Sequence, residues 1–146
     1  TLSLSRIAWK QALDINLTAA FFLSQEVIKQ FLKQKQGGKI INASGILPLE
    51  ADSYAAYVVG KGGMEAMTQY LASAFAKDNI QINAIRFGYM QEGSSLYENK
   101  EILKAIPARR LGTASDMEGA LLLLASDQSN YMCGACIPVD GGCSIR

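Results

Sequence analysis

The feature that most constrains the fold is a pattern that occurs twice. A long segment with the hydrophobic period of a helix is followed by a short run rich in β-branched residues, next to a glycine. The helical segments are Ile7–Gln34, which contains no glycine or proline, and approximately Ser53–Lys77. The apolar runs Lys39–Ser44 and Gln81–Phe87 follow them and are typical of strands buried on both faces. Because strands separated by helices form parallel sheets, the pattern predicts an α/β fold.

The rest of the chain is less regular. Tyr89–Arg110 is long and polar, with a short helix expected near Glu98–Ala105, and loops of this length are often lids or binding segments. Ser115 and Glu118 fit a capping box that opens a third helix. A last short strand is expected at Cys136–Asp140. With only three strands predicted, the 146 residues correspond to a single, partial α/β domain.

The composition excludes several classes of function. The chain has no histidine, which rules out Ser-His-Asp and Cys-His triads, histidine bases and histidine metal ligands. Its net charge of +1 makes nucleic acid or an anionic membrane a poor match as partner. The longest apolar run, Ala120–Ala125, is too short to span a bilayer. No signal peptide is recognisable, and three cysteines make no disulfide framework, so we expect a cytoplasmic protein.

The cysteines include a C-x-x-C motif, Cys133 to Cys136, with Cys143 as a third thiol. Such a pair can be a redox centre or half of a metal site, for which Asp140 would have to be the fourth ligand. A redox motif is expected to open a helix after a strand, whereas this one leads into a strand. We therefore interpret the thiols as buried or incidental, with a thiol-redox or zinc module as an alternative.

The strongest local signal for chemistry is Tyr57-x-x-x-Lys61, near the start of the second long helix. Residues four apart on a helix are neighbours, with about 5–6 Å between their Cβ atoms. A free phenol has a pKa of about 10, and an ammonium beside a phenol favours the phenolate. The pair could then exchange a proton with an alcohol or ketone. The alternative is an ordinary solvated helix face.

Two further polar side chains stand where a site could be built. Ser44 ends a predicted buried strand, and open α/β sheets bind ligands at the carboxyl ends of their strands. Its hydroxyl would hydrogen-bond a substrate oxygen. Asn16 lies within the first long helix, where asparagine is a mediocre helix former. It is either an exposed or locally bonded side chain, or one that holds a water molecule near the site.

Together these motifs resemble the short-chain dehydrogenase/reductase family. Twenty-eight residues separate Asn16 from Ser44, 13 separate Ser44 from Tyr57 and four separate Tyr57 from Lys61, as in the family. The resemblance extends from about Trp9 to Gly142. Its further matching segments are Asp14–Leu17, Gly38–Ser44, Asn83, Gly88, Arg110–Gly112, Leu124–Asp127 and Val139–Gly142.

The resemblance implies a Rossmann-type, doubly wound parallel sheet. It also implies hydride transfer between NAD or NADP and a carbonyl or secondary alcohol. Tyr57 would be the general acid/base, and Lys61 would lower the pKa of that phenol and hold the nicotinamide ribose. Ser44 would orient the substrate oxygen, and Asn16 would anchor a water molecule of a proton relay.

The resemblance further implies cofactor contacts and partners. Gly88 and Met90 would meet the nicotinamide, Met90 through its backbone, and approximately Gln91–Ala108 would be the substrate lid. The two long helices would pair with those of a second subunit in a homodimer or homotetramer. Stretches such as Gly38–Asn42 and Asn79–Asn83 are similar to gluconate 5-dehydrogenase and its relatives. They imply a small-molecule substrate, a sugar acid such as gluconate.

The chain departs from the family at three places. The family's dinucleotide-binding half, whose glycine-rich turn holds the pyrophosphate, has no counterpart, and no G-x-G-x-x-G occurs in the sequence. Phe87 stands where proline usually fixes a turn, and Glu92 stands where a threonine commonly contacts the cofactor phosphate. These departures support a second hypothesis, a non-catalytic oligomerising protein that keeps the fold and does not bind dinucleotide.

Overall fold

The computed structural model describes residues 2–46, 55–91 and 100–145. Helices and strands alternate in it as the sequence predicts. The helices and strands are α1 (Arg6–Leu13), a π-helical turn (Asp14–Thr18), α2 (Ala19–Gln34), β1 (Gly38–Gly45), α3 (Ala55–Phe75), β2 (Ile80–Phe87), α4 (Lys100–Ala105), α5 (Ala114–Ala125) and β3 (Cys136–Val139). Within the described ranges, no helix is both long enough and apolar enough to be a membrane span.

The three strands form one parallel sheet in the order β1-β2-β3. Successive residues of a strand point to opposite faces, and here each face has its own apolar cluster. Ile40 and Ile82 contribute to the cluster under α2 and α3, whereas Ile41 and Ile85 contribute to the cluster under α5. Helices therefore cover both faces of the sheet, which confirms the doubly wound α/β prediction.

The first long helix differs from the prediction because a π-helical turn interrupts it. This turn, Asp14–Thr18, separates α1 from α2. A π turn accommodates an extra residue in the helix, and such turns are frequent at functional sites. Asn16 lies at its centre, and its side-chain amide donates to the backbone oxygen of Ala12 at 3.0 Å. The asparagine that looked out of place in the sequence thus marks the irregular turn.

Glycines bring α3 close to this π turn. A Cβ at Gly60 would lie 2.9 Å from the Cβ of Asn16, and one at Gly63 would lie 2.8 Å from the Cδ2 of Leu17. A Cβ at Gly62, by contrast, would meet nothing within 4 Å. Two of the three glycines in this part of α3 are therefore required by the close approach of the helices.

The start of α5 lies two residues before the predicted capping box. Thr113 is the N-cap with an extended backbone, and its N–H donates to Asp116 Oδ2 at 2.8 Å. Asp116 also pairs with Arg110, with 2.7 Å between Oδ1 and Nη2. The capping box predicted at Ser115 and Glu118 is therefore wrong. Thr113 and Asp116 have the same spacing, and Ser115 is already inside the helix.

Asn83, in the middle of β2, forms hydrogen bonds to the segment that leads into β3. Its side chain is 1% exposed, donates to the backbone oxygen of Met132 at 2.8 Å and accepts from the N–H of Ala135 at 2.9 Å. The N–H of Gly134 donates to the backbone oxygen of Ile82 at 2.8 Å. One buried amide thus satisfies the backbone of a segment that precedes the regular pairing of β3.

Candidate active site

The amino-terminal part of α3 lies over the carboxyl end of β1. Lys61 Nζ donates to the backbone oxygen of Ala43 at 2.8 Å and lies 5.7 Å from the centroid of the Tyr57 ring. The Tyr57 hydroxyl lies against Gly45, where an added Cβ would overlap it. The structure therefore brings Tyr57 and Lys61 together at the edge of the sheet where α/β proteins bind ligands.

Lys61 is a partly buried cation with a specific partner. Burial lowers the pKa of its ammonium below that of an ordinary lysine, because desolvation penalises the charged form. The carbonyl of Ala43 compensates part of that cost. An ammonium held at this point can act on the phenol of Tyr57 and can donate to hydroxyl groups of a bound molecule.

Asn16 lies beside this pair through its contact with Gly60, the residue before Lys61. Its side chain is half-buried, and one amide hydrogen bond goes to the backbone of Ala12. The carbonyl oxygen of the same amide remains a hydrogen-bond acceptor in chemical terms. That Asn16 anchors a water molecule of a proton relay stays a prediction.

Ser44 lies in an environment different from the one expected of a substrate-orienting hydroxyl. The side chain is 1% exposed, and its hydroxyl donates to Glu65 Oε1 at 2.7 Å. The next residue of the strand, Gly45, is the one that faces the Tyr57 hydroxyl. The Ser44 hydroxyl proton is thus directed at Glu65, whereas the residue against the Tyr57 hydroxyl is Gly45.

Glu65 and Arg86 were missed from the sequence. Arg86 donates from Nε to Glu65 Oε1 at 2.8 Å and from Nη2 to Oε2 at 2.6 Å, while both side chains are largely buried. These hydrogen bonds lower the pKa of Glu65 and raise the pKa of Arg86. The available signal was the lone charge of Arg86 in the apolar run Gln81–Phe87, since buried charges are usually paired.

The turn after β2 is fixed by backbone contacts. The N–H of Ile46 donates to the oxygen of Phe87 at 2.8 Å, and the N–H of Gly88 donates to the oxygen of Val139 at 3.0 Å. A Cβ at Gly88 would lie 2.5 Å from the Cα of Asp140, so only glycine fits. Replacement of the usual proline by Phe87 was expected to leave this turn less constrained. In the structure, neighbouring strands hold it on both sides.

Met90 follows this turn and bridges to Gly112. The bonds of the bridge run from the Gly112 N–H to Tyr89 at 2.9 Å and from the Gln91 N–H to Gly112 at 2.7 Å. In a parallel bridge the flanking residues carry these bonds, so the N–H and C=O of Met90 itself point away from Gly112. One donor and one acceptor in this arrangement suit a carboxamide group.

A cleft of about 300 Å³ opens beside the Gly88–Met90 segment. Its other walls come from Pro138–Gly142 and from the side of Ala108, Arg110, Gly112 and Asp116. Neither Tyr57 nor Lys61 belongs to the lining. Residues 92–99, which include Glu92 and much of the predicted lid, lie outside the described residues.

The residues present fit the nicotinamide end of a dinucleotide. Gly88 packs against Asp140 in the turn that leads to Met90, Met90 offers an N–H and a C=O, and Lys61 offers an ammonium for ribose hydroxyls. The sequence contains no G-x-G-x-x-G turn for the pyrophosphate. The described residues therefore offer contacts for one end of such a cofactor.

Among the three cysteines, Cys136 lies beside the Glu65–Arg86 pair. Cys133 is exposed, Cys136 and Cys143 are half-buried, and none of the three forms a disulfide bond. Burial, with the nearby Glu65 carboxylate, raises the pKa of the Cys136 thiol to about 11. Among residues 2–46, 55–91 and 100–145, no group of three or more histidine, cysteine or acidic side chains could hold a metal ion.

Comparison with known proteins gives matches along nearly the whole chain. A family model described as enoyl-(acyl carrier protein) reductase matches residues 1–144. The chain is 39% identical over 145 residues to a 2-dehydro-3-deoxy-D-gluconate 5-dehydrogenase of Dickeya dadantii, covering 94% of this chain and 57% of the relative. It is 37% identical to the enzyme of the same name in Escherichia coli, covering 99% and 60%.

The comparison with solved structures also gives matches over the whole chain. A protein of Agrobacterium tumefaciens, proposed to be a 2-deoxy-D-gluconate 3-dehydrogenase and solved with bound NADP, matches with a TM-score of 0.91 and 33% identity. The match covers 100% of this chain and 62% of that protein. The chain thus spans about 57–60% of the length of the two curated relatives.

Proposed function

The chain belongs to the short-chain dehydrogenase/reductase family, and we propose on that premise that it carries the proton-transfer centre of an NAD(P)-dependent sugar-acid dehydrogenase. The observation that carries the proposal is the Tyr57–Lys61 pair at the carboxyl end of β1, with Lys61 held by the Ala43 carbonyl. A phenol and an ammonium in this arrangement suit proton exchange with an alcohol or ketone.

In the proposed mechanism Tyr57 is the general acid/base. During oxidation its phenolate oxygen takes the proton of the substrate alcohol, and during reduction the resulting hydroxyl gives that proton to the carbonyl oxygen. Lys61 stabilises the phenolate by its positive charge and donates to ribose hydroxyls. The nicotinamide, when bound, supplies the hydride chemistry.

The remaining predicted site residues are given supporting roles. The Gly88 turn brings backbone close to the nicotinamide, and the N–H and C=O of Met90 hold its carboxamide. Asn16 holds a water molecule that carries protons between Lys61 and solvent. Its place beside Gly60, next to Lys61 in the sequence, supports that role.

The proposed substrate is a sugar acid, because both curated relatives are named as 2-dehydro-3-deoxy-D-gluconate 5-dehydrogenases. NADP is favoured as the first cofactor to test, since it is the dinucleotide bound in the Agrobacterium tumefaciens protein. Recognition of the acid would require residues of the lid. Part of that lid lies outside the described residues.

A second copy of the chain is the proposed protein partner. Large apolar side chains remain exposed on the π turn and on the two long helices, including Ile15 of the π turn, Leu23 of α2 and Tyr70 of α3. Exposed apolar surface of this kind is typical of contact sites between proteins. Sedimentation of wild type and Leu23→Glu tests this proposal, because the charge should shift an oligomer toward monomer.

The decisive experiment compares Tyr57→Phe with Tyr70→Phe, a change on the exposed face of the same helix. Turnover of 2-dehydro-3-deoxy-D-gluconate with NADH and NADPH is measured on the purified proteins. We expect Tyr57→Phe to lower kcat by at least about 100-fold and Tyr70→Phe to leave it unchanged. Unchanged turnover in Tyr57→Phe contradicts the proposal. A wild-type protein that associates but binds neither cofactor favours the non-catalytic alternative.

A further inference from the structure

Three polar side chains tie β1, α3 and β2 together beneath the Tyr57–Lys61 pair. Ser44 and Arg86 are register partners in the parallel pairing of β1 with β2. Glu65, one helical turn beyond Lys61, accepts hydrogen bonds from both of them. The carboxylate therefore joins the strand end, the helix and the neighbouring strand at a single point.

Because this network is buried, its hydrogen bonds are costly to lose. The Ser44 side chain is 1% exposed, and the side chains of Arg86 and Glu65 are 26% and 15% exposed. Removing one member would leave a buried polar partner without its hydrogen bond, which is more costly than losing an exposed contact. The network is thus suited to fixing the distance between α3 and the end of β1.

Gly45 has the position that faces the Tyr57 hydroxyl. An added Cβ would overlap that oxygen and would lie 3.2 Å from the ring carbon that bears it. The backbone of Gly45 is still part of the regular strand and pairs with Phe87. The absence of a side chain at residue 45, rather than an unusual backbone conformation, leaves room for the tyrosine.

We propose that Gly45 sets the position of the Tyr57 hydroxyl, and that Ser44 is a positioning residue that acts through Glu65 and Arg86. This inference rests on the proposed function, since it concerns the same proton donor. In this arrangement a substrate oxygen reaches Tyr57 beside the backbone of β1. The Ser44 hydroxyl holds the strand and does not touch substrate.

The first test is a double-mutant cycle with Ser44→Ala and Glu65→Gln. If Ser44 acts through Glu65, the double variant has the same kcat as Glu65→Gln alone, because the second change removes nothing further. A catalytic Ser44 gives fold-losses in kcat that multiply. Ser44→Ala should keep the pH profile of kcat, lose less than about 10-fold in kcat and have a lower Tm.

The second test compares Gly45→Ala with Gly62→Ala, where an added Cβ meets nothing within 4 Å. Gly45→Ala should lower kcat by at least about 10-fold and alter its pH profile, with the KM for cofactor unchanged, because the general acid is displaced. Gly62→Ala should match wild type in all three quantities. Circular dichroism and Tm confirm that both variants fold.

The outcomes separate this inference from the proposed function. A loss of about 100-fold or more in Ser44→Ala with an unchanged Tm overturns the inference, since that is the effect of removing a group that binds the reacting oxygen. So does wild-type kcat in Gly45→Ala. Tyr57→Phe is the control. If that variant retains turnover, the proposed function fails, whereas the lower Tm of Ser44→Ala still tests the network.

Discussion

Gly60 of α3 lies in contact with Asn16 of the π turn, so that a Cβ at Gly60 would come within 2.9 Å of the Cβ of Asn16. This contact joins the irregular turn to the helix that carries Tyr57 and Lys61. It also explains why a helix tolerates glycine at this position, where alanine would otherwise be favoured by about 1 kcal/mol.

Gly60→Ala should therefore displace Asn16 and lower kcat, while Gly62→Ala should not. Because Gly62 has open space beside it, its replacement should stabilise the helix by about 0.5–1 kcal/mol. Denaturant unfolding and steady-state kinetics measure both effects. Equal kcat values for the two variants would show that the position of Asn16 has no part in turnover.

Lys61→Met should lower kcat by about 100-fold or more and move the remaining activity to higher pH, since the phenolate loses its neighbouring cation. Lys61 also affects stability, because burial lowers the pKa of its ammonium in the folded protein. Burying the charge costs free energy of folding, and this cost is relieved as the pH rises above the folded pKa. Wild type should therefore gain stability over Lys61→Met as the pH rises toward 10.5.

For that comparison, unfolding curves at a series of alkaline pH values are the measurement. Lys77→Met, a change in a residue just beyond α3, is the control for loss of a lysine. A stability difference that does not change with pH would argue against burial of the Lys61 charge. An unaltered pH profile of kcat would argue against its action on Tyr57.

Glu65→Gln should lower the free energy of unfolding at pH 7 by about 2 kcal/mol, because Arg86 loses a charged hydrogen-bond partner. The pKa of Glu65 is lowered in the folded state, so its contribution is present above the unfolded pKa of about 4.5 and is lost as the pH falls through the folded value. The difference between wild type and variant should accordingly shrink in acid.

Glu26→Gln is the matched control for this prediction. Glu26 pairs with Lys29 at the surface, where both side chains are more than 60% exposed, and such pairs contribute little. Urea unfolding from pH 7 down to pH 3 compares the two variants. A Glu65→Gln protein as stable as Glu26→Gln would mean that the buried pair does not hold the strands to α3.

Cys136 should react with iodoacetamide much more slowly than Cys133. Only about one thiol in a thousand is ionised at pH 8 when the thiol pKa is about 11, and the thiolate is the reactive form. Cys133 is exposed. Labelling followed by peptide mass spectrometry at pH 8 gives the two rates. Equal rates, or a disulfide between the two residues, would favour the thiol-redox alternative instead.

Much of the fold could be predicted because short stretches of the sequence carry patterns typical of strands and helices. The β-branched runs gave β1 and β2 within one residue at each end, and the i, i+4 spacing gave the contact of Tyr57 with Lys61. The π turn was missed because apolar residues continue on both sides of Asn16 with a nearly helical period. The capping register at Thr113 was missed because a second pair with the same spacing starts two residues later.

The orientation of Ser44 could not be read from its position alone. A residue at the end of a strand faces one side or the other according to its parity, and Ser44 shares the parity of Ile40 and therefore faces α3. Its partner Glu65 is 21 residues away. The hydrogen bond from Ser44 to Glu65 also depends on Arg86, which the neighbouring strand places opposite Ser44. That register is a property of the assembled sheet.

The amide of Asn83 has a consequence for the order in which the molecule assembles. Its two hydrogen bonds reach residues 49 and 52 positions further along the chain. A contact that closes so long a loop carries an entropic cost and forms after the local helices. During synthesis, the Asn83 side chain therefore cannot form these two hydrogen bonds until Met132 and Ala135 have emerged from the ribosome.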